Sequence, residues 1–285
     1  IHFLMKKKKL CLISYLIKNY MINKINYKKV QDNLEKNGYF VLRNFLSKIK
    51  CKKFLDKILI KNINKINKKD PGNFHQGASL VYNLQNKDKE FLDLIFDKRI
   101  NKINENFFRP GAHKNDKDIY QFDLLHSRIL MGKSKAQNLH IDSRVCGIFP
   151  PTHIQFFIYL DCVNFNDGPT QFVPKSHKKF RYPQKNDNKK TVKVTGEEGT
   201  LIICNSSIWH GSSPKTTSGT RAILTMSYCR WHLRQQYAVP YSIPYKFEKK
   251  LNIKQKKLLG YFNYPPKNEN FRIRMRGPLT NLKIK

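Results

Sequence analysis

From about residue 120 the chain is a succession of short apolar runs separated by turn residues, and this spacing limits its fold more than any other feature. The runs cover residues 123–131, 153–160, 170–173, 199–204 and 220–228. Between them lie Asn166-Asp167-Gly168-Pro169, Gly196-Glu197-Glu198-Gly199 and a polar stretch at 215–219. Short strands at this spacing predict a β-sandwich or barrel. Upstream the texture is helical. Val30 and Leu34 stand at i, i+4 in a helix predicted over 27–37, which Gly38 ends. A short strand follows at 39–42, then a helix with Ser47 as its N-cap and Phe54, Leu55, Ile58 and Leu59 on its apolar face. Residues 62–69 read as a polar Lys/Asn-rich loop, residues 89–100 as one amphipathic helix and residues 182–190 as a surface loop.

With 285 residues, of which 40% are hydrophobic, the chain suits one domain with terminal additions. The expected division is a leader at 1–26, a domain at 27–265 with a helical part to 119 and a β core at 120–234, and a basic tail at 266–285. The leader's apolar stretch after Lys9 is far short of the ~20 residues that a membrane helix needs, and no A-x-A-like cleavage site follows. It reads as disordered or as upstream of the true start, and no membrane association is expected. Six cysteines at irregular spacing, without a CxxC pair, read as buried free thiols in the cytoplasm.

The formal net charge of +35 suggests by itself a nucleic-acid partner. The excess, however, is 43 Lys against 12 Arg, beside 27 Asn, and it is spread widely instead of forming one stripe. Lys, Asn and Ile share A/T-rich codons, whereas readers of bases and phosphates lean on the Arg fork. No specific nucleic-acid partner is expected, only weak attraction to polyanions at low salt.

The chemistry concentrates at His140-Ile141-Asp142. In an extended segment residues i and i+2 share a face, so an imidazole and a carboxylate converge on one point. Chance alone supplies roughly 0.4 such matches in a chain of this composition, so context decides. His210, in Ile208-Trp209-His210-Gly211-Ser212, is the best third ligand. Two His and one carboxylate on one face of a metal form the triad of non-haem Fe(II) oxygenases, with positions left open for cosubstrate and O2. His126, His153, His177 and His232 read instead as hydrogen-bonded structural residues. Arg221 shares a face with Ile223, Thr225 and Ser227, and an inward-facing Arg needs an anion. The distal carboxylate of 2-oxoglutarate meets that need. Arg144, Arg230 and Arg234 are candidates for an anionic group on the substrate.

From Asn37 to Tyr261 the chain resembles the phytanoyl-CoA dioxygenase family. The resemblance is carried by Asn37-Gly38-Tyr39-Phe40-Val41-Leu42, by His140-x-Asp142, and by Asn166-Asp167-Gly168-Pro169-Thr170 with Val173-Pro174-Lys175-Ser176-His177. Lys175 stands where that family has Gly. Trp209-His210-Gly211-Ser212, Arg221, Trp231-His232-Leu233-Arg234-Gln235-Gln236 and Leu258-Leu259-Gly260-Tyr261 continue it. The resemblance implies a mainly β fold with flanking helices, built on a double-stranded β-helix, or jelly roll, of cupin type. It implies Fe(II) with 2-oxoglutarate as cosubstrate, and a small-molecule substrate oxidised by O2 with release of succinate and CO2. It also implies that Ser212 lies beside Arg221 at the distal carboxylate, and that Arg128 and Phe157 line the cosubstrate pocket. Three alternatives stay open: a nucleic-acid-directed oxygenase with the same iron site, a catalytically inactive cupin-like binding protein, and a metal-free RNA-binding module.

Overall fold

The computed structural model describes residues 25–63, 74–75, 78–143 and 145–263. Two expected segments, the leader before residue 25 and the basic tail, lie outside these residues, as do Arg144 and most of the predicted loop at 62–69.

Helix α1 (Tyr27–Asn37) starts where the Asn26 side chain accepts from Lys29 N, and it buries Val30 and Leu34. Gly38 ends it at φ 87°, a left-handed backbone that only glycine adopts without strain. Strand β1 (Tyr39–Leu42) and helix α2 (Lys48–Ile63) follow, then β2 (Phe74–His75) and β3 (Ala78–Tyr82). Three helices come next: α3 (Leu84–Lys87), α4 (Lys89–Ile95) and α5 (Lys98–Phe108). The single helix expected over 89–100 is thus two. Asp97 breaks it because its carboxylate accepts from Arg99 N and pairs with the Arg99 guanidinium at 2.8 Å, so a new helix starts there.

Eight strands follow: β4 (Tyr120–Met131), β5 (Gln137–His140), β6 (His153–Tyr159), β7 (Thr170–Phe172), β8 (Val192–Val194), β9 (Leu201–Asn205), β10 (His210–Ser212) and β11 (Thr220–Arg230). They form two antiparallel sheets, ordered β1-β9-β6-β11-β4-β3-β2 and β5-β10-β7-β8. This is the jelly roll, with β1 to β3 widening its larger sheet. The segment at 182–190 holds a 3-10 turn at Lys185–Lys190, where Arg181 clasps Asp187 through two hydrogen bonds. Helices α6 (Val239–Ser242), α7 (Tyr245–Glu248) and α8 (Ile253–Leu258) close the described chain.

The large sheet has two buried faces. Alternate residues of β11, Ala222, Leu224, Met226 and Tyr228, join one cluster with Phe54 and Phe91 of the helices and with Val239 and Leu259 near the end. The helical segment, the strands and the closing helices therefore share one core, with no boundary at residue 120. The other face meets the small sheet through Phe157, Tyr159, Ile202 and Ile223, against Phe172 and Val194. Lys175 holds φ 67°, so it keeps the turn that a glycine makes with less strain. Among the described residues no helix is long and apolar enough to cross a membrane.

Gly38 has no room for a side chain: a Cβ there would lie 2.5 Å from His177 Nδ1 and 2.9 Å from Ile208 Cδ1. Gly38→Ala is expected to cost about 1–3 kcal/mol of stability, read as a lower urea midpoint. An unchanged midpoint would show that the turn tolerates a side chain.

Candidate metal and cosubstrate site

Strand β10 begins with His210 because Trp209 anchors it. The indole is fully buried, the Trp209 backbone N–H donates to Ser176 Oγ at 2.8 Å, and Arg181 lies over the ring at 4.3 Å. From there β10 pairs with β5 so that His210 stands opposite His140. Gly211 makes this pairing possible, since a Cβ there would lie 2.5 Å from the Gln137 carbonyl oxygen. The two imidazole centroids are 4.3 Å apart. Asp142 follows on a turn whose Asp142 and Ser143 amides both donate to Ser206 O, at 3.0 and 2.9 Å.

The three side chains converge. Asp142 Oδ2 lies 3.1 Å from His210 Nε2, and Asp142 Oδ1 lies 3.4 Å from His140 Nε2. One ligand atom from each of His140, Asp142 and His210 lies within 4.8 Å of the others. Each imidazole turns its Nδ1 to a backbone carbonyl, Asn138 O at 2.9 Å and Ile208 O at 3.1 Å. A carbonyl only accepts, so Nδ1 carries the proton and a neutral ring presents its Nε2 lone pair to the carboxylate. Lone pairs facing a carboxylate at these distances need a cation between them, so the donor set fits a divalent metal. Burial opposes charge on Asp142, but without a metal a proton on the Nε2 atoms that face it holds its carboxyl well below the usual carboxylate range. For His140 burial acts the other way, and the Asp142 carboxylate outweighs it and raises the imidazole.

These residues lie in a cavity of about 860 Å³ between the sheets. Arg221, Ser212, Arg128 and Phe157 line it too, so all four residues expected at the cosubstrate reach the same space. Arg221 is 2% exposed, and burial pulls its guanidinium down to about 10. It donates to Gly168 O through Nε at 3.0 Å and Nη2 at 2.6 Å, and among the described residues it has no ion pair. Ser212 Oγ accepts from Gln137 N at 3.3 Å.

Arg234 stands exposed at the cavity rim. Arg230 does not reach the cavity, and its expected contact with substrate is corrected. An even-numbered residue of β11, it points to the helical side with Tyr228. There it donates to Pro151 O at 2.8 Å, Phe108 O at 3.3 Å and Pro110 O at 2.5 Å. It ties the end of α5 and the segment before β6 to β11. His126, expected to be hydrogen-bonded, lines the cavity instead, with no partner for its Nδ1. Thr225, expected on the face of Arg221, lines it as well, as do Tyr82 and Gln155, which were not singled out from sequence. Of the other histidines expected to be structural, His177 bonds to Glu35 O at 3.1 Å, and His153, which also lines the cavity, has its Nδ1 3.1 Å from Thr152 Oγ1.

Two outcomes follow from this geometry. A divalent ion displaces the proton that His140 holds more tightly than usual, whereas Asp142 stays ionised. Ni(II) affinity is therefore expected to fall as pH drops through a value above 6.5, by up to about tenfold per pH unit as His140 takes up its proton. Calorimetry between pH 8 and 5.5 measures this, and a flat profile would remove His140 from the site. Arg230→Met is expected to destabilise the fold by about 3 kcal/mol by stranding three buried carbonyls. Ni(II) affinity should not change, and a parallel loss of it would return Arg230 to the site.

Comparison with known proteins gives the family and the fold. The model of the phytanoyl-CoA dioxygenase (PhyH) family matches residues 34–223. Dioxygenase FUM3 of Gibberella moniliformis (strain M3125 / FGSC 7600) is 25% identical over 141 residues, 47% of this chain and 47% of the relative. The match thus spans about half the length of that curated relative. HygX from Streptomyces hygroscopicus, solved with nickel and 2-oxoglutarate bound, superposes with a TM-score of 0.56 at 14% identity over 70% of this chain and 86% of its own. EctD from S. alaskensis with bound Fe gives a TM-score of 0.59 at 16% identity, over 74% and 79%. At these identities the structures speak for the fold, a cupin-type jelly roll, while the family match covers most of the chain. The chain belongs to the phytanoyl-CoA dioxygenase family.

Proposed function

We propose that the protein is an Fe(II)- and 2-oxoglutarate-dependent dioxygenase that hydroxylates a small molecule. The observation that carries this reading is the meeting of His140, Asp142 and His210 in a cavity that also holds an unpaired, buried Arg221. Nε2 of His140, a carboxylate oxygen of Asp142 and Nε2 of His210 would hold the metal. When bound, Fe(II) and 2-oxoglutarate supply the oxidising power: O2 is activated, succinate and CO2 are released, and a substrate C–H bond is oxidised.

The protein's own part is binding, orientation and exclusion of water. Three protein ligands leave the remaining positions of the metal to cosubstrate and O2. Two backbone carbonyls hold the imidazole rings, and Ser206 O holds the turn that carries Asp142. Arg221 receives the distal carboxylate of 2-oxoglutarate, with Ser212 beside it. Gly168 O occupies Nε and Nη2, which fixes the plane of the guanidinium before the cosubstrate arrives. Facing sheets lie ~10 Å apart, a span that suits a five-carbon diacid held by metal at one end and Arg221 at the other. Phe157 and Ile223, both nearly fully buried, put apolar surface between these two ends and keep water out.

Anaerobic titration with Fe(II) and 2-oxoglutarate tests this reading. The wild type should develop the weak visible charge-transfer band of the chelate, and His210→Ala should not; absence of band and iron in the wild type would end the proposal. Asp142→Ala is expected to lose Fe(II)-dependent succinate formation. Arg221→Ala should raise the 2-oxoglutarate concentration needed for the band by about tenfold or more, and an unchanged requirement would take Arg221 out of the cosubstrate site.

A further inference from the structure

On the Fe(II)/2-oxoglutarate reading above, the aim of the Arg221 guanidinium decides how well the distal carboxylate is met. Gly168 O sets that aim, since it accepts from both Nε and Nη2. Gly168 lies in the turn between β6 and β7, outside the strands of either sheet. A carbonyl on a turn holds a guanidinium still only if the turn itself is held.

The segment between β10 and β11 does the holding. Thr216 N donates to Asn166 O at 2.9 Å. Lys215 is 1% exposed, and its stem lies against Gly168, where a Cβ would be 3.1 Å from Lys215 Cβ. A buried ammonium needs compensation, yet Lys215 forms no direct ion pair among the described residues. Its Nζ donates instead to Thr217 O at 2.9 Å and to Thr217 Oγ1 at 2.6 Å. The Thr217 hydroxyl in turn donates to Asp167 Oδ1 at 2.6 Å, and Asn164 N donates to Asp167 Oδ2 at 2.8 Å. The hydroxyl accepts from a cation and donates to an anion, so both bonds are charge-assisted. The Thr217 bond is also the chief cause that holds the Asp167 carboxyl below its ordinary value. Lys215, Thr217 and Asp167 thus form one chain from ammonium to carboxylate, and it ends on the residue directly before Gly168. None of the three lines the cavity.

We propose that Lys215, Thr217 and Asp167 are positioning residues for Arg221: through the Thr217 hydroxyl they fix the turn that carries Gly168 O, and so set the affinity of the protein for the distal carboxylate of 2-oxoglutarate. They lie behind the cavity wall and act on the cosubstrate through Arg221 alone.

Two keto acids separate this role from a general effect on the fold. 2-Oxoglutarate carries the distal carboxylate, whereas 2-oxobutyrate offers a metal the same carboxylate and oxo group and lacks it. Each is titrated anaerobically into the Fe(II)-loaded protein, and the charge-transfer band gives its dissociation constant. Thr217→Val keeps the shape of the side chain and removes the hydroxyl. It should weaken 2-oxoglutarate by about tenfold and leave 2-oxobutyrate and Ni(II) affinity within about twofold. Thr217→Ser, which keeps the hydroxyl, should match the wild type. In an Arg221→Ala background Thr217→Val should bring no further loss, because it acts through that guanidinium. The proposal is overturned if Thr217→Val leaves 2-oxoglutarate unchanged, if it weakens 2-oxobutyrate or Ni(II) as much as 2-oxoglutarate, or if its full effect persists without Arg221. If neither keto acid gives a band with the Fe(II)-loaded wild type, the Fe(II)/2-oxoglutarate reading itself fails, and this inference, which rests on it, falls with it.

Discussion

The site depends on one short pairing, β10 against β5, in which His210 stands opposite His140. Neither strand is long, and neither carries much of the core. What fixes their register is the missing side chain at Gly211, which lets the β5 backbone close in, together with the buried indole of Trp209 just before it. A slip of one residue would turn an imidazole to the other face. The Nδ1 contacts to Asn138 O and Ile208 O depend on the same two backbones, so register sets ring orientation as well as position.

The pairing leaves an electrostatic conflict that folding alone does not remove. Two imidazole lone pairs and a carboxylate oxygen point into one small volume. A proton relieves this in part and a divalent cation relieves it more fully, so metal binding and the stability of the small sheet are linked. The large sheet carries no such conflict near the metal. It is pinned by apolar packing on its helical side and by Asp123, which sits at a β-bulge of β4 and accepts from Ser227 Oγ, Gln236 N and Gln236 Nε2. Through Gln236, Asp123 also holds the segment after β11 against the cavity.

Much of this was legible in the sequence because the signals were local. His140-x-Asp142 needed only the two-residue period of an extended chain, and Gly38 only the sign of its φ. The alternation of β11 correctly turned Arg221, Ile223 and Thr225 inward, and the same parity puts Arg230 on the helical side, a signal the sequence reading passed over. Asp97 was read as one more polar residue inside a helix, because capture of the Arg99 amide by its side chain competes with helix continuation in a way that periodicity does not register. His126, Tyr82 and Gln155 were not legible as one wall. They come from three strands, and only the order β6-β11-β4-β3 makes them neighbours.

The cavity divides its labour between the sheets. His140, Asp142, His210 and Ser212 belong to β5, β10 and the turn after β5, whereas Tyr82, His126, Arg128 and Gln155 belong to the large sheet. Substitutions on the second set need not touch the backbone that fixes the first. A lineage that inherits this architecture can retarget its chemistry by point changes on one wall while the reactive centre stays under purifying selection on the other. Divergence within the family should then be read residue by residue: drift at Tyr82, His126 or Gln155 leaves the metal ligands untouched, whereas Arg221, although on the large sheet, is tied to the reaction itself.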